Sequence, residues 1–275
     1  VKDLSPRQLA EFIQEAEIMA SLHHPNIIQL YGYTEVKPYR IVMQLMPKGS
    51  LFKILQSGEE LSWTQKITWG MEIGAGLHYL HTLKPQIIHR DLKSLNVLIS
   101  KDNEAKLTDF GLALAKLRTT TSTLTGSSKT KKMEEAVVGS TRWMAPELFG
   151  LRPNYSTFSD MFAYAIVLWE LAAQEIPYNE VNSDSIIQDE IKAGAREMIN
   201  DDWPEVFKSL IARCWDQTPK QRPQAEQVVS ELESALKKFD EAEDEEATRS
   251  AQKALQELKL KKPNAGSRGY AVDTA

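Results

Sequence analysis

The stretch 161–173 is apolar almost without interruption, and the polar Asp160 stands immediately before it. A helix that is apolar on every side has to be covered on every side. The sequence therefore predicts a helix at the centre of a large, mainly helical unit. No apolar run reaches the roughly 20 residues that a membrane helix requires, so we expect a soluble protein with an interior helix.

Composition narrows the classes of function. The 275 residues are 42% hydrophobic and 26% charged, which suits one or two globular domains with a sizeable core. The formal net charge of −5 argues against a nucleic-acid binder, whose phosphate contacts call for a basic face, but it allows a nucleotide. A single cysteine, Cys214, excludes an internal disulfide and favours a reducing, cytoplasmic location, with core packing beside Trp215 as its expected role. Because the first residue is Val1 and not Met, we expect the chain to begin inside a longer protein.

The first part of the chain reads as one helix and two strands. Ser5-Pro6 has the form of a helix start, and Pro25 should end that helix. The apolar runs 27–33 and 39–46 are rich in aromatic and β-branched residues and predict two strands around a polar turn. Residues 47–50 contain proline and glycine and are expected to break the sheet. Beyond them the pattern is mostly helical, and helices are predicted at 51–55, 62–83, 183–193, 204–213 and 224–238.

A polar loop at 89–96 is framed by apolar residues and gathers an imidazole, a guanidinium, a carboxylate, an ammonium, a hydroxyl and an amide. A connection alone needs far less polar chemistry, so the loop is a candidate site. The runs 97–99 and 105–107 flank a polar turn and predict a hairpin. That hairpin would bring Asn96, at one end, close to Asp109, at the other.

Two regions lack the apolar residues that packing requires. Residues 118–132 are nearly all Thr, Ser, Lys and Gly and are expected to form a mobile loop. Near the end, an acidic run at 240–246 precedes a weak amphipathic pattern and a basic run at 259–262. A solvated, frayed helix is favoured there over a docking element, and 263–275 is expected to be disordered.

An ordered set of motifs resembles one known family. Residues 89–96 and 109–111 resemble the H-R-D-L-x-x-x-N catalytic loop and the D-F-G of eukaryotic protein kinases. Residues 145–147 match the A-P-E of that family, and residues 214–223 resemble its C-W-x(6)-R-P segment. Each triplet alone is weak, but the ordered set is specific. The resemblance covers about residues 1 to 238.

The resemblance implies an α+β, bilobal protein-kinase-like fold with a truncated small β lobe and a mainly helical large lobe. Residues 1–46 would form a partial small lobe that ends at the hinge, and 47–239 the large lobe. Residues 240–275 would form an acidic, then basic, helical or disordered tail.

The chemistry implied is transfer of the γ-phosphate of ATP to protein substrates with Mg²⁺ as cofactor. By resemblance, Asp91 orients the substrate hydroxyl and accepts its proton, and Lys93 steadies the transferring phosphate. Asp109 is the principal Mg²⁺ ligand and Asn96 holds the second metal, oxygen donors being what Mg²⁺ prefers.

The resemblance also implies which residues bind the nucleotide. Glu15 resembles the mobile-helix glutamate that pairs with the ATP-binding lysine, although without the family it would pass for a solvated helix residue. Met43 resembles the gatekeeper, Gln44 to Met46 the hinge that binds adenine, and Leu98 the residue beneath the base.

Other residues have structural roles by resemblance. Leu30, Met19, His89 and Phe110 fit the apolar spine, standing over Asp160, which would tie down the catalytic-loop backbone. For His89 this means packing and not proton transfer.

Glu147 and Arg222 would form the buried ion pair of the larger lobe. The remaining histidines lack partners at metal-ligand spacing and are expected to be core or surface residues, not zinc ligands; they are His23, His24, His78 and His81.

Lys93 favours serine or threonine specificity, and residues 139–147 and 159–164 resemble the tyrosine-kinase-like group of Ser/Thr kinases. Ser140 and Ala165 stand where that group usually has threonine and glycine. Arg90 resembles the arginine of kinases that an upstream kinase activates by loop phosphorylation. Candidate loop hydroxyls are Thr119, Thr120, Thr121, Ser122, Thr123, Thr125, Ser127, Ser128 and Thr130.

The family's glycine-rich loop and V-A-I-K lysine do not occur in this sequence. Lys2 is a candidate for that lysine, but its spacing to Glu15 is short, and Val1-Lys2-Asp3 better resembles the segment just beyond it. The alternative to an enzyme is therefore a non-catalytic kinase-like scaffold or an inactive fragment. The presence of Asp91, Asn96 and Asp109 favours the enzyme.

Overall fold

The computed structural model describes residues 6–36, 39–109, 140–239 and 241, and for residues 6–9, 11, 12, 14 and 15 it describes the backbone alone. Several predictions fall outside the described residues. They concern Lys2, Ser5, Phe110, the loop 118–132, the tail after residue 241, and the side chain of Glu15.

Helix α1 spans Pro6–Ser21, which confirms the predicted first helix. Ala16 and Met19 lie three positions apart on it and are both buried. This face packs toward strand β1 (Leu30–Tyr33), so α1 and the first sheet share one core.

The first sheet has two antiparallel strands, β1 and β2 (Ile41–Met43). The predicted strands 27–33 and 39–46 are both longer than the observed ones. The first is shortened because the chain before β1 pairs elsewhere. The Ile28 amide donates to the Leu107 carbonyl at 2.9 Å, and the Leu107 amide donates to the Asn26 carbonyl at 2.9 Å. Residues 26–28 thus join the first sheet to the second.

The second sheet contains β3 (Gly49–Ser50), β4 (Val97–Ile99) and β5 (Ala105–Leu107) in the order β3-β4-β5. The β4–β5 pair confirms the predicted hairpin. Residues 47–50 are expected to break the sheet, but this is wrong for Gly49 and Ser50, which form a strand. A turn closed by the Gly49 amide on the Met46 carbonyl directs Gly49 and Ser50 onto the edge of β4.

Serines begin the next two helices. Ser50 precedes α2 (Leu51–Leu55), and its hydroxyl accepts from the Lys53 amide at 3.3 Å. Ser62 precedes α3 (Trp63–Thr82) and accepts from the Gln65 amide at 3.2 Å. Each side chain satisfies an amide that the first helical turn leaves unpaired, and both helices lie where they were predicted.

Helix α4 (Thr157–Ala173) is the predicted interior helix, and every residue from Ser159 to Ala172 is buried. It packs against α3, where the Tyr164 hydroxyl donates to the Gly70 carbonyl at 2.8 Å. The remaining helices, each starting one residue later than predicted, are α5 (Asp184–Ala193), α6 (Glu205–Cys214) and α7 (225–239).

The described elements form the expected α+β class: a small sheet with α1, followed by a mainly helical part that surrounds α4. Among the described residues, no helix has both the length and the apolar character needed to cross a bilayer.

Candidate active site

The polar loop 89–96 is fixed by Asp160, which is 2% exposed in the first turn of α4. One carboxylate oxygen accepts from the His89 amide at 2.8 Å, and the other accepts from the Arg90 amide at 2.9 Å. His81 Nε2 also lies 2.8 Å from the first of these oxygens. The central helix thereby holds the backbone of the loop in one conformation.

Arg90 occupies a strained conformation, with a φ of 68°. A side chain in this left-handed region costs about 1–2 kcal/mol, so neighbouring contacts have to hold it. The bond from its amide to Asp160 is one such contact, and its guanidinium lies over the Tyr155 ring at 5.6 Å.

Asp91, Lys93 and Asn96 are brought together by the loop. The Asn96 side-chain amide donates to the Asp91 backbone carbonyl at 2.7 Å and to its carboxylate Oδ2 at 3.2 Å. Lys93 Nζ lies 3.4 Å from the same Oδ2 and donates to the Ser140 hydroxyl at 2.9 Å. The carboxylate of Asp91 is 18% exposed and Lys93 only 3%, so a carboxylate open to solvent is backed by a buried ammonium.

The hairpin places Asn96 and Asp109 at the same end. Val97 pairs with Leu107, and the Thr108 amide donates to the Asn96 carbonyl at 3.0 Å. Asn96 Oδ1 is buried and, among the described residues, has no hydrogen-bond partner. An unsatisfied amide oxygen close to a carboxylate is the donor set that suits Mg²⁺, so these residues fit the expected metal.

The residues expected to bind the nucleotide are distributed over both sheets. The Gln44 amide donates to the Gln29 carbonyl at 2.9 Å beside the first sheet, and Met43 on β2 is 36% exposed. Met46 is buried at the turn that leads into β3, and β3 pairs with Leu98 on β4. Met46 thus precedes β3 and Leu98 lies on the partner strand of β3, whereas Met43 lies in the other sheet.

Two predicted structural roles are present. Arg222 donates two hydrogen bonds to the Glu147 carboxylate, at 2.7 and 2.9 Å, and its side chain is fully buried. His89 is fully buried, and burial lowers its pKa below the usual value for histidine. A buried neutral imidazole suits packing, as does the burial of Met19 and Leu30.

Two residues of this region were missed. His81 was assigned only to core or surface, and no spacing in the sequence connects it with Asp160. From the sequence, Glu170 is predicted only as part of the apolar run 161–173. It is the one carboxylate in that run, and this isolation is a signal that identifies it as unusual. It is 1% exposed, and it accepts hydrogen bonds from the Ser94 hydroxyl at 2.6 Å and from Trp143 Nε1 at 2.7 Å.

Comparison with known proteins gives consistent matches. The family model described as protein tyrosine and serine/threonine kinase matches residues 1–232. The chain is 37% identical over 228 residues to the probable serine/threonine-protein kinase drkC of Dictyostelium discoideum, covering 82% of this chain and 29% of that protein. It is 34% identical over 249 residues to the probable serine/threonine-protein kinase pats1 of the same organism, covering 88% and 7%.

A mammalian relative matches at a similar level. Mitogen-activated protein kinase kinase kinase 12 of Rattus norvegicus is 36% identical over 226 residues, covering 81% of this chain and 24% of the relative. The chain thus spans less than a third of the length of each of these three relatives.

Proposed function

Because this chain belongs to the protein tyrosine and serine/threonine kinase family, we propose that it transfers the γ-phosphate of ATP to serine or threonine hydroxyls of protein substrates. The observation that carries the proposal is the cluster of Asp91, Lys93 and Asn96 on one loop. Phosphoryl transfer asks little covalent work of a protein; it requires a positioned nucleophile and cations that absorb charge.

In this proposal Asp91 receives the substrate hydroxyl, orients it toward the phosphate and accepts its proton. General-base help of this kind contributes about 10²–10⁴-fold. Lys93 Nζ, 3.4 Å from the Asp91 carboxylate, supplies positive charge where the phosphate is transferred. Asp109 and Asn96 are the residues that would hold Mg²⁺. The metal, when bound, neutralises charge on the phosphates.

We assign nucleotide contacts to Met43, Gln44, Met46 and Leu98, and the pairing with an ATP-binding lysine to Glu15. The same proposal divides the chain into a partial small lobe at 1–46, a large lobe at 47–239 and a tail at 240–275. Serine or threonine specificity is supported by Lys93 and by the names of the relatives that match the chain.

Regulation by loop phosphorylation belongs to the proposal as well. Arg90 is held next to Asp91, and an arginine at this position can pair with a phosphate of nearly two negative charges. The hydroxyls between Thr119 and Thr130 are the candidate acceptors for an upstream kinase. Replacing all of them by alanine should lower activity. Unchanged activity would refute this part.

The transfer itself is tested in the natural full-length protein. We expect incorporation of labelled phosphate from ATP into a mixed protein substrate only when Mg²⁺ is present, with the label on phosphoserine or phosphothreonine. Label on phosphotyrosine would refute the specificity. If the phosphorylated protein transfers no phosphate, the enzyme hypothesis is refuted and the non-catalytic scaffold takes its place.

A further inference from the structure

Glu170 is a buried acid that a stable core would not need. It is 1% exposed on the central helix α4, and in the described part of the chain no lysine or arginine pairs with it. Burial raises its pKa to about 8. Burying a carboxyl group costs free energy, and an apolar residue of similar size is often at least as stable at such a position. The presence of Glu170 is therefore better explained by the hydrogen bonds that its carboxyl group accepts.

Glu170 holds two segments of the proposed active site. The Ser94 hydroxyl donates to Oε1 at 2.6 Å, and Trp143 Nε1 donates to Oε2 at 2.7 Å. Ser94 belongs to the catalytic loop, whereas Trp143 belongs to the turn Ser140–Trp143. One carboxyl group thus bridges the loop and this turn, with one oxygen for each.

The same two segments meet a second time on the side of Asp91. Lys93 donates to the Ser140 hydroxyl at 2.9 Å, and its Nζ is also 3.4 Å from the Asp91 carboxylate. The backbone of Lys93 is extended, with φ −166° and ψ 161°, so successive side chains point to opposite sides. Lys93 therefore contacts the turn at the catalytic centre, while Ser94 reaches it through Glu170 in the core.

The turn also borders the surface on which a substrate hydroxyl would approach. The residues that line a small cleft include Asp91, Ser140, Trp143, Met144, Ser159 and Asp160. A shift of Trp143 away from the loop would change the wall of this cleft without touching the paired strands β3 and β4, the second of which carries Leu98.

We propose that Glu170 is a positioning residue that fixes the turn Ser140–Trp143 against the catalytic loop and so sets where the peptide substrate presents its hydroxyl to Asp91. This inference rests on the proposed kinase function. Glu170 does not contact the reacting atoms; it acts through Ser94 and Trp143. Its loss should weaken the use of peptide substrate and leave the use of ATP nearly unchanged.

The test compares two indole replacements in the natural full-length protein. Trp143→Phe removes the donor to Glu170. Trp169→Phe is the matched control, since Trp169 lies on the same helix as Glu170 and donates to the Met198 carbonyl at 2.9 Å. For Trp143→Phe we expect the KM for a peptide substrate to rise about tenfold, the size of one buried hydrogen bond. The KM for ATP should stay within about twofold, and both constants should stay within about twofold for Trp169→Phe.

A triple variant separates positioning from stability. Glu170→Leu with Ser94→Ala and Trp143→Phe removes the acid together with both side-chain donors, so that of the groups contacting Glu170 only the Ser94 backbone amide loses its acceptor. We expect this variant to unfold at a higher urea concentration than Glu170→Leu alone, which leaves both side-chain donors unsatisfied as well, yet to show the raised peptide KM. If the peptide KM of both Trp143→Phe and the triple variant equalled that of Trp169→Phe, the proposed role of Glu170 would be overturned. The proposed kinase function would not be affected by that result. Absence of transfer by the unmodified protein would overturn the kinase function and this inference with it.

Discussion

Replacing Asp160 by alanine should destabilise the protein more than any surface change, because its carboxylate holds the backbone of the loop 89–96. The substitution removes the acceptor of two amide donors, those of His89 and Arg90, at 2.8 and 2.9 Å. A buried donor left unsatisfied costs about 1–3 kcal/mol, which gives about 2–6 kcal/mol for the pair. His81, whose Nε2 lies 2.8 Å from the carboxylate, loses the same partner.

Part of this cost is returned. Arg90 is held at a φ of 68°, and relaxation from the left-handed region recovers about 1–2 kcal/mol. Taking the middle of each range, the net expectation is a loss of about 2.5 kcal/mol in the free energy of unfolding, out of a total of about 5–15 kcal/mol for a typical domain. Asp160→Asn, which keeps one acceptor oxygen, should lose less.

Urea denaturation followed by tryptophan fluorescence measures the difference. Asp189→Ala is the matched control, because the side chain of Asp189 is 74% exposed and pairs with Lys192 on the surface. That change should cost less than about 0.5 kcal/mol. If Asp160→Ala lay within about 0.5 kcal/mol of this control, the loop would not depend on Asp160 and the reasoning would be refuted.

Three further predictions concern the scaffold. Glu147→Ala leaves the fully buried Arg222 unpaired and should lower the free energy of unfolding by about 3–5 kcal/mol in urea denaturation. Gly76→Ala would place a Cβ 2.9 Å from the Asn26 carbonyl oxygen, and this overpacking should cost about 1–3 kcal/mol in thermal or urea unfolding. Burial raises the pKa of Glu72 to about 7 from 4.5, so the folded state holds its proton more tightly and this contribution to stability is lost as pH rises between these values. Glu72→Gln should flatten that dependence when urea midpoints are compared at acidic and neutral pH.

Each of these has a contradicting outcome. A Glu147→Ala protein as stable as the Asp189→Ala control would mean that the Asp216 and Phe158 carbonyls, to which Arg222 also donates, are enough for its charge. For Gly76, the comparison is Gly32→Ala, where an added Cβ has nothing within 4 Å; equal losses would exclude overpacking as the cause. A slope against pH that Glu72→Gln leaves unchanged would assign that slope to other groups.

Local patterns were enough to predict most of the helices. The apolar run 161–173 and the helical pattern beyond residue 50 are properties of neighbouring residues, and α2, α3 and α4 follow from them. The strand ends could not be predicted in the same way. Residues 26–28 pair with β5, far along the chain, and only the folded arrangement reveals that competition.

In the candidate site, too, local contacts could be predicted from the sequence and contacts between distant segments could not. The cluster of Asp91, Lys93 and Asn96 lies within one short loop, so the sequence already places its members together. Asp109 joins them through a hairpin that is also local. His81 and Glu170 act through contacts with distant segments, and a lone polar residue in a helix does not reveal its partner before folding.

The most direct test of the proposed function is phosphate transfer by Asp91→Asn in the natural full-length protein, with Asp189→Asn as the control. The substitution keeps the size of the side chain and its contact with Asn96 but removes the base. We predict that labelled-phosphate transfer falls by at least about 10²-fold, while ATP binding measured by calorimetry changes less than about threefold. Transfer retained at the level of the Asp189→Asn control would contradict the catalytic role of Asp91 and the account of this site.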